Sequence, residues 1–210
     1  MGYDMYSATE PDAHQAAAIR EAAAHVEELR CQYMNASSET AARAMEGQLD
    51  SAWDAYDKAR TGLYFRLNIW GMGTARQLMG ALDMLTDAPM PQWPTLEAYN
   101  LTDYPDDPEH HPQGSEREAA HARLTDQEHA FLKASHNTRD QDAQTPGIPA
   151  YKLTSNDGWL VTEREITSAL EAWNKANPND QKEVQTEFPW WNEWLDFLKF
   201  NAERGGFRVY

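Results

Sequence analysis

Between residues 19 and 56, apolar side chains recur at spacings of three and four, the period of one helix face. Ile19, Ala22, Val26, Leu29 and Tyr33 form a first stripe, and Ala42, Met45, Leu49, Trp53 and Tyr56 a second. Asn35-Ala-Ser-Ser38 between them reads as a turn, with Ser38 capping the second helix. Two antiparallel helices are the first expectation and one long helix the alternative. An alanine-rich seam allows close packing in either case. Thr9-Glu-Pro-Asp12 is expected to open the first helix, since it offers a capping hydroxyl, an acid three residues on and a proline in the first turn.

Further along, Ala75, Leu78, Met79, Leu82 and Leu85 fit a short helix ended by Pro89, Pro91 and Pro94, because proline lacks the amide donor and clashes with the preceding turn. From about residue 94 to 123 the chain is rich in Pro, Asp, Glu and His without apolar periodicity, and reads as a long solvated insertion. Thr125-Asp-Gln-Glu128 caps a helix running through Phe131 and Leu132, followed by a polar run over Asn137–Gln144. Tyr151–Val161 reads as an extended segment folded at Asn156-Asp-Gly158. Thr162-Glu-Arg-Glu165 is a capping box for a helix with Ile166, Leu170 and Trp173 inward, broken at Asn177-Pro-Asn179. Pro189 opens a last helix, with Trp191, Trp194, Leu195, Leu198 and Ala202 on one face, and Gly205-Gly206 stops it.

The two ends are short, aromatic and alternating: Tyr3-Asp-Met-Tyr6 and Phe207-Arg-Val-Tyr210. Paired with each other, and with Leu160-Val161 or Lys152-Leu153, they would form a small sheet. The expected fold is α+β and predominantly helical: a helical hairpin plus further helices, with a small antiparallel sheet near the termini. One domain spans 1–210, with the polar insertion at about 94–123.

Eight Trp, nine Tyr and six Phe supply a packed core despite a mean hydropathy of −0.79. Thirty-four acids against 18 bases give a formal charge of −16. Such a surface repels phosphate backbones and anionic lipid, so neither nucleic acid nor membrane is an expected partner. The alternative is that the acids mimic nucleic acid and occupy a basic groove. Cys31 is alone and lies on or near the apolar side of the first helix, so neither a disulfide framework nor a cysteine-based zinc site is expected. The opening lacks a basic start and apolar run, and no segment reaches the length of a membrane span, so the expected location is cytoplasmic.

Two stretches hold polar groups beside rings and glycines. In Tyr64–Gly73, Arg66 and Asn68 would point into a pocket walled by Tyr64, Phe65 and Trp70, with Gly71 and Gly73 allowing backbone approach. The competing reading is a tight junction between helices, with Asn68 satisfying backbone groups and Arg66 paired with an acid. In Ser155–Trp159, Asn156 and Asp157 would sit at a pocket mouth with Trp159 as a stacking surface. Here the rival is an Asx turn leading into the helix capped by Thr162. A ligand site requires the two stretches to face one another.

Glu118 and His121 have the i, i+3 spacing of carboxylate-bridged iron sites, but a second pair is missing. His129 and His136 lie two turns apart, roughly 10 Å, too far to share one ion. Asp106-Asp-Pro-Glu-His-His111 would collect a divalent cation only adventitiously, so no metal site is expected. Phosphate-loop, dinucleotide, nucleophile-elbow and zinc-protease signatures are absent, and no cofactor or catalytic residue is expected.

The blocks Met1-Gly-Tyr-Asp-Met-Tyr6, Tyr64–Trp70, Ser155–Thr162 and Gly205–Tyr210 together resemble a group of uncharacterised proteins of actinobacteria and their phages. The resemblance spans both ends and the middle, and it brings no activity or functional residue. It implies a bacterial or phage cytoplasmic setting. The leading functional expectation is a non-enzymatic interaction or inhibitor protein of phage or mobile-element type, with a host or bacterial protein as partner. The alternatives are a small-ligand or catalytic pocket made by 64–73 and 155–159, and the acidic mimic.

Overall fold

Asp12 starts the first long helix. In the computed structural model, which describes residues 2–112 and 114–210, its carboxylate accepts from Gln15 N at 2.8 Å and opens α1 (Ala13–Met34). Met1, in the opening block, and Gln113, within the expected insertion, lie outside the described residues. The expected cap, Thr9, instead donates its hydroxyl to the Arg204 carbonyl. Asp12 prevails because the helix begins after Pro11, which leaves the acid at the capping position. Ser38 caps α2 (Glu39–Ala59) through Ala41 N at 3.2 Å, and the two helices form the expected hairpin.

The hairpin has its own small core of Val26, Leu29 and Ala52, with Leu49 and Tyr56 packed against it. Trp53 does not belong to that seam: it is 43% exposed, whereas Ala52 is 4% exposed. The alternation Leu49, Ala52, Tyr56 keeps to the seam, and Trp53 stands about 100° further round the helix. Cys31 is also exposed, its Sγ 3.8 Å from a Glu27 carboxylate oxygen. It follows Leu29 by two residues, which turns it away from the buried stripe.

The chain ends meet in an antiparallel sheet of order β2-β1-β6-β5. β1 (Gly2–Ser7) pairs with β6 (Phe207–Val209) in the register Met5↔Val209, and β6 pairs with β5 (Trp159–Val161). The fourth strand, β2 (Tyr64–Asn68), lies along β1 with Gly2 opposite Asn68 and Tyr6 opposite Tyr64. It occupies the first half of the stretch expected to form a pocket or helix junction. Residues 150–153 form a 3-10 turn, so only the end of the expected extended segment is strand. Gly206 has φ +86°, and a Cβ there would lie 2.0 Å from Val161 O. Glycine alone permits that close crossing into β6.

Against the sheet pack α3 (Ile69–Ala81), α6 (Glu163–Lys175) and α8 (Trp190–Asn201). Met5, Met72, Met79, Ile166, Trp191, Trp194, Leu198 and Phe207 share this main core. Leu85 is not in α3, which stops before Asp83 (φ +55°); Leu85–Thr86 forms β3, parallel to β4 (Ile148–Pro149). The prolines therefore follow the helix end without causing it. After the Asn177 break, Asn177 caps a further helix, α7 (Pro178–Glu187), which apolar periodicity does not reveal because it buries none of its residues.

The expected insertion is folded. It contains 3-10 turns at Leu96–Tyr99 and Pro108–His110 and a helix, α4 (Ser115–Arg123). Acids at the start of α4 and His121 and Arg123 at its end suit the helix dipole, a stabilisation that leaves no apolar period. α5 (Asp126–Arg139) has the expected capping box and takes in the first three residues of the polar run over Asn137–Gln144. The protein is thus α+β and mainly helical, with eight α-helices among the described residues. No helix of these is long and apolar enough to cross a membrane.

Candidate functional site

Tyr64 and Arg66 converge on one acid. The Tyr64 hydroxyl donates to Asp4 Oδ1 at 2.5 Å, and Arg66 Nε lies 3.6 Å from the same oxygen. Burial first, then the hydrogen bond to Asp4 and its charge, pushes the Tyr64 phenol up to about 12. Asn68 caps α3, accepting from Gly71 N at 2.7 Å. Trp70, in the first turn, is 85% exposed. A hollow of about 510 Å³ beside Tyr64, Phe65 and Arg66 is bounded by Asp57 and Lys58 of α2 and by Glu193 and Asp196 of α8.

The second stretch approaches the first without completing that hollow. Asn156 Nδ2 donates to Gly2 O at 3.1 Å, and Gly2 is the strand partner of Asn68. The two asparagines therefore flank the start of β1, but Asn156, Asp157 and Trp159 do not line the hollow beside Arg66. Asp157 is exposed. Trp159 is fully buried between Trp93 and Tyr151, with ring centroids at 4.9 Å on each side, and its indole donates to Ser155 Oγ. It is a core ring and not a surface on which a ligand could stack. The expected shared pocket is replaced by a strand pair, a cap and a turn.

A different cleft gathers the reactive side chains. It measures about 660 Å³ and lies between α4, α5 and the turn at Pro108–His110. On α5, His129, Lys133 and His136 share the lining face at spacings of four and three, and α4 contributes Arg117 and His121. The His121 and His129 rings face one another with centroids 4.4 Å apart. His136 has separate partners: Nε2 is 2.8 Å from Asp107 Oδ2 and Nδ1 is 3.5 Å from Glu109 Oε1. Arg139 donates to Glu109 Oε2 at 2.8 Å, while Arg208 clasps Asp140 at 2.7 and 3.0 Å.

Burial alone would raise the Asp107 carboxyl. Hydrogen bonds from His136 and Glu109 N, with the nearby imidazoles, outweigh it and hold the group below the usual carboxylate range. Asp140 is lowered in the same way, burial being opposed by Arg208 and Arg139. Asp107, Glu109 and His136 also place one potential ligand atom each within 4.8 Å of the others. Sequence reasoning missed this grouping because 107–109 and 136 are far apart in the chain. The separate fates of His129 and His136 do follow from their two-turn spacing.

No protein-family model matches the chain, and no curated protein or solved structure matches it either.

Proposed function

We propose that this protein acts by binding another protein, and that the α1–α2 hairpin is the arm that does so. The observation behind this reading is the hairpin's separation from the body. Its 22-residue first helix is roughly 33 Å long. Its core is distinct from the main one, and neither helix packs extensively on any other element. Arg60, over the Tyr56 and Tyr64 rings at 4.3 and 4.1 Å, ties its base to β2.

A two-helix unit with so few buried residues adds little to the stability of the body, which leaves most of its surface for contact. Trp53 at 43% and Met34 at 75% exposure, together with exposed Ala17 and Ala24, suit a helical partner surface. Glu27, Glu39 and Asp57 pair with Arg30, Arg43 and Arg60. Such interleaved signs fit a protein partner better than a phosphate-like row of acids. The bacterial or phage setting and the cytoplasmic location rest on the resemblance of the terminal and middle sequence blocks. In that setting, inhibition of a host factor is the form the binding takes.

Saturable capture of a partner from bacterial lysate tests the reading, with Trp53→Asp and Met34→Asp beside the unaltered chain. Loss of capture in both variants, with far-ultraviolet circular dichroism unchanged, is expected. Capture that does not saturate, or that both variants retain, contradicts it.

A further inference from the structure

The geometry points to a mononuclear site for a divalent transition ion of the zinc class, formed by Asp107, Glu109 and His136. Three features make the cluster more than a set of neighbouring charges. The donors come from separate segments, the 3-10 turn and α5, yet one ligand atom from each falls within 4.8 Å of the rest. Each carboxylate also has one oxygen already engaged, by the turn's own backbone for Asp107 and by Arg139 for Glu109, and the other turned toward His136. Asp107 Oδ1 accepts from Glu109 N at 2.9 Å, which leaves Oδ2 toward His136. Glu109 Oε2 accepts from Arg139 at 2.8 Å, which leaves Oε1 toward the same imidazole. Such outer contacts orient metal ligands and are ordinarily part of a metal site.

The third feature is the opening. The cluster borders the 660 Å³ cleft, so an ion held by two carboxylate oxygens and one imidazole nitrogen has room there for water or an exogenous ligand. Two oxygens and a nitrogen suit zinc and its neighbours, whereas magnesium favours oxygen-only, octahedral surroundings. His136 reaches Asp107 through Nε2 and Glu109 through Nδ1, so an ion takes one of these ring nitrogens in place of its contact with a carboxylate. The carboxylates keep their other partners, Glu109 N and Arg139.

Calorimetric titration of the full chain with Zn²⁺, and visible absorption with Co²⁺, test the site. The expected result is one saturable equivalent and a cobalt spectrum of low coordination number. His136→Ala and Glu109→Gln should each weaken binding by about tenfold or more. His121→Ala, His129→Ala and His110→Ala should leave the affinity unchanged. Far-ultraviolet circular dichroism on each variant checks that it folds, and Glu109→Gln keeps the test valid if His136→Ala does not. Absence of a 1:1 equivalent, or binding that survives both ligand substitutions and falls with His110, His121 or His129, overturns the proposal.

Discussion

Lys152 and Glu165 form an ion pair with neither side chain exposed to solvent: Nζ lies 2.9 Å from both carboxylate oxygens. The ammonium also donates to Gln141 O and Leu160 O, and the carboxylate accepts from Thr162 N and Ala143 N. One glutamate thus serves as the capping-box partner of α6 and as the counterion that ties the turn at 150–153 to β5. Burial pulls the Lys152 ammonium below the usual lysine range, against the attraction of Glu165.

Removing one member leaves a buried charge without its partner. Lys152→Met or Glu165→Leu should each cost about 3–5 kcal/mol in urea unfolding. The double substitution should cost less than the sum of the two. Additive losses would show that the pair is not coupled.

Gly206 offers a test of the sheet. Gly206→Ala places a methyl 2.0 Å from Val161 O and forces a side chain into positive φ, where the backbone strain alone is about 1–3 kcal/mol. The melting temperature should fall, and amide exchange should rise first in β5 and β6. An unchanged melting temperature would mean that the strands do not cross so closely.

Acid stability should depend on the pairing of Asp140 with Arg208. The carboxyl of Asp140 lies below its unfolded value, so the folded state takes up its proton later than the unfolded chain. Its contribution is present above the unfolded carboxylate value and is lost as pH falls through the lower, folded one. Arg208→Met should reduce stability at neutral pH and flatten the acid limb of an unfolding series. A limb as steep as that of the unaltered chain would count against the pair.

Two tyrosines should ionise late. Tyr64 and Tyr151 are both pushed up to about 12, chiefly by burial, with Asp4 adding to the first and Glu165 to the second. A raised phenol contributes stability below its unfolded value near 10 that is lost as pH rises through the folded one. Ultraviolet titration should resolve a late-ionising fraction among the tyrosines, and Asp4→Asn should bring part of it forward. A single transition near 10 would contradict this environment.

Much of the fold was legible where one physical pattern dominates. The stripes through Val26 and Leu49, the Ser38, Thr125 and Thr162 caps and the Trp191–Leu198 face all depend on neighbours in the chain. The meeting of Tyr3–Tyr6 with Phe207–Tyr210 was legible from their shared alternation. β2 was not, because Tyr64–Asn68 is an edge strand whose burial does not alternate cleanly. α4 and α7 escaped because end charges and Arg117 contacts support the first, and the Asn177 cap the second, in place of an apolar stripe. The candidate site was harder still: Asp107, Glu109 and His136 are ordinary polar residues until α5 brings them together. Trp159 misled in the other direction, since a ring beside Asn-Asp-Gly looks like a surface and is buried.

The role of the hairpin is tested most directly by hydrogen–deuterium exchange on the full chain, free and saturated with the captured partner. In the free chain, amides of 13–59 should exchange much faster than those of α8, because the hairpin core is small and separate. With the partner bound, new protection should concentrate in α1 and α2, around Trp53, while the sheet and α8 stay unchanged. Protection confined to the body, with the hairpin exchanging as before, would contradict the hairpin's assignment as the binding arm.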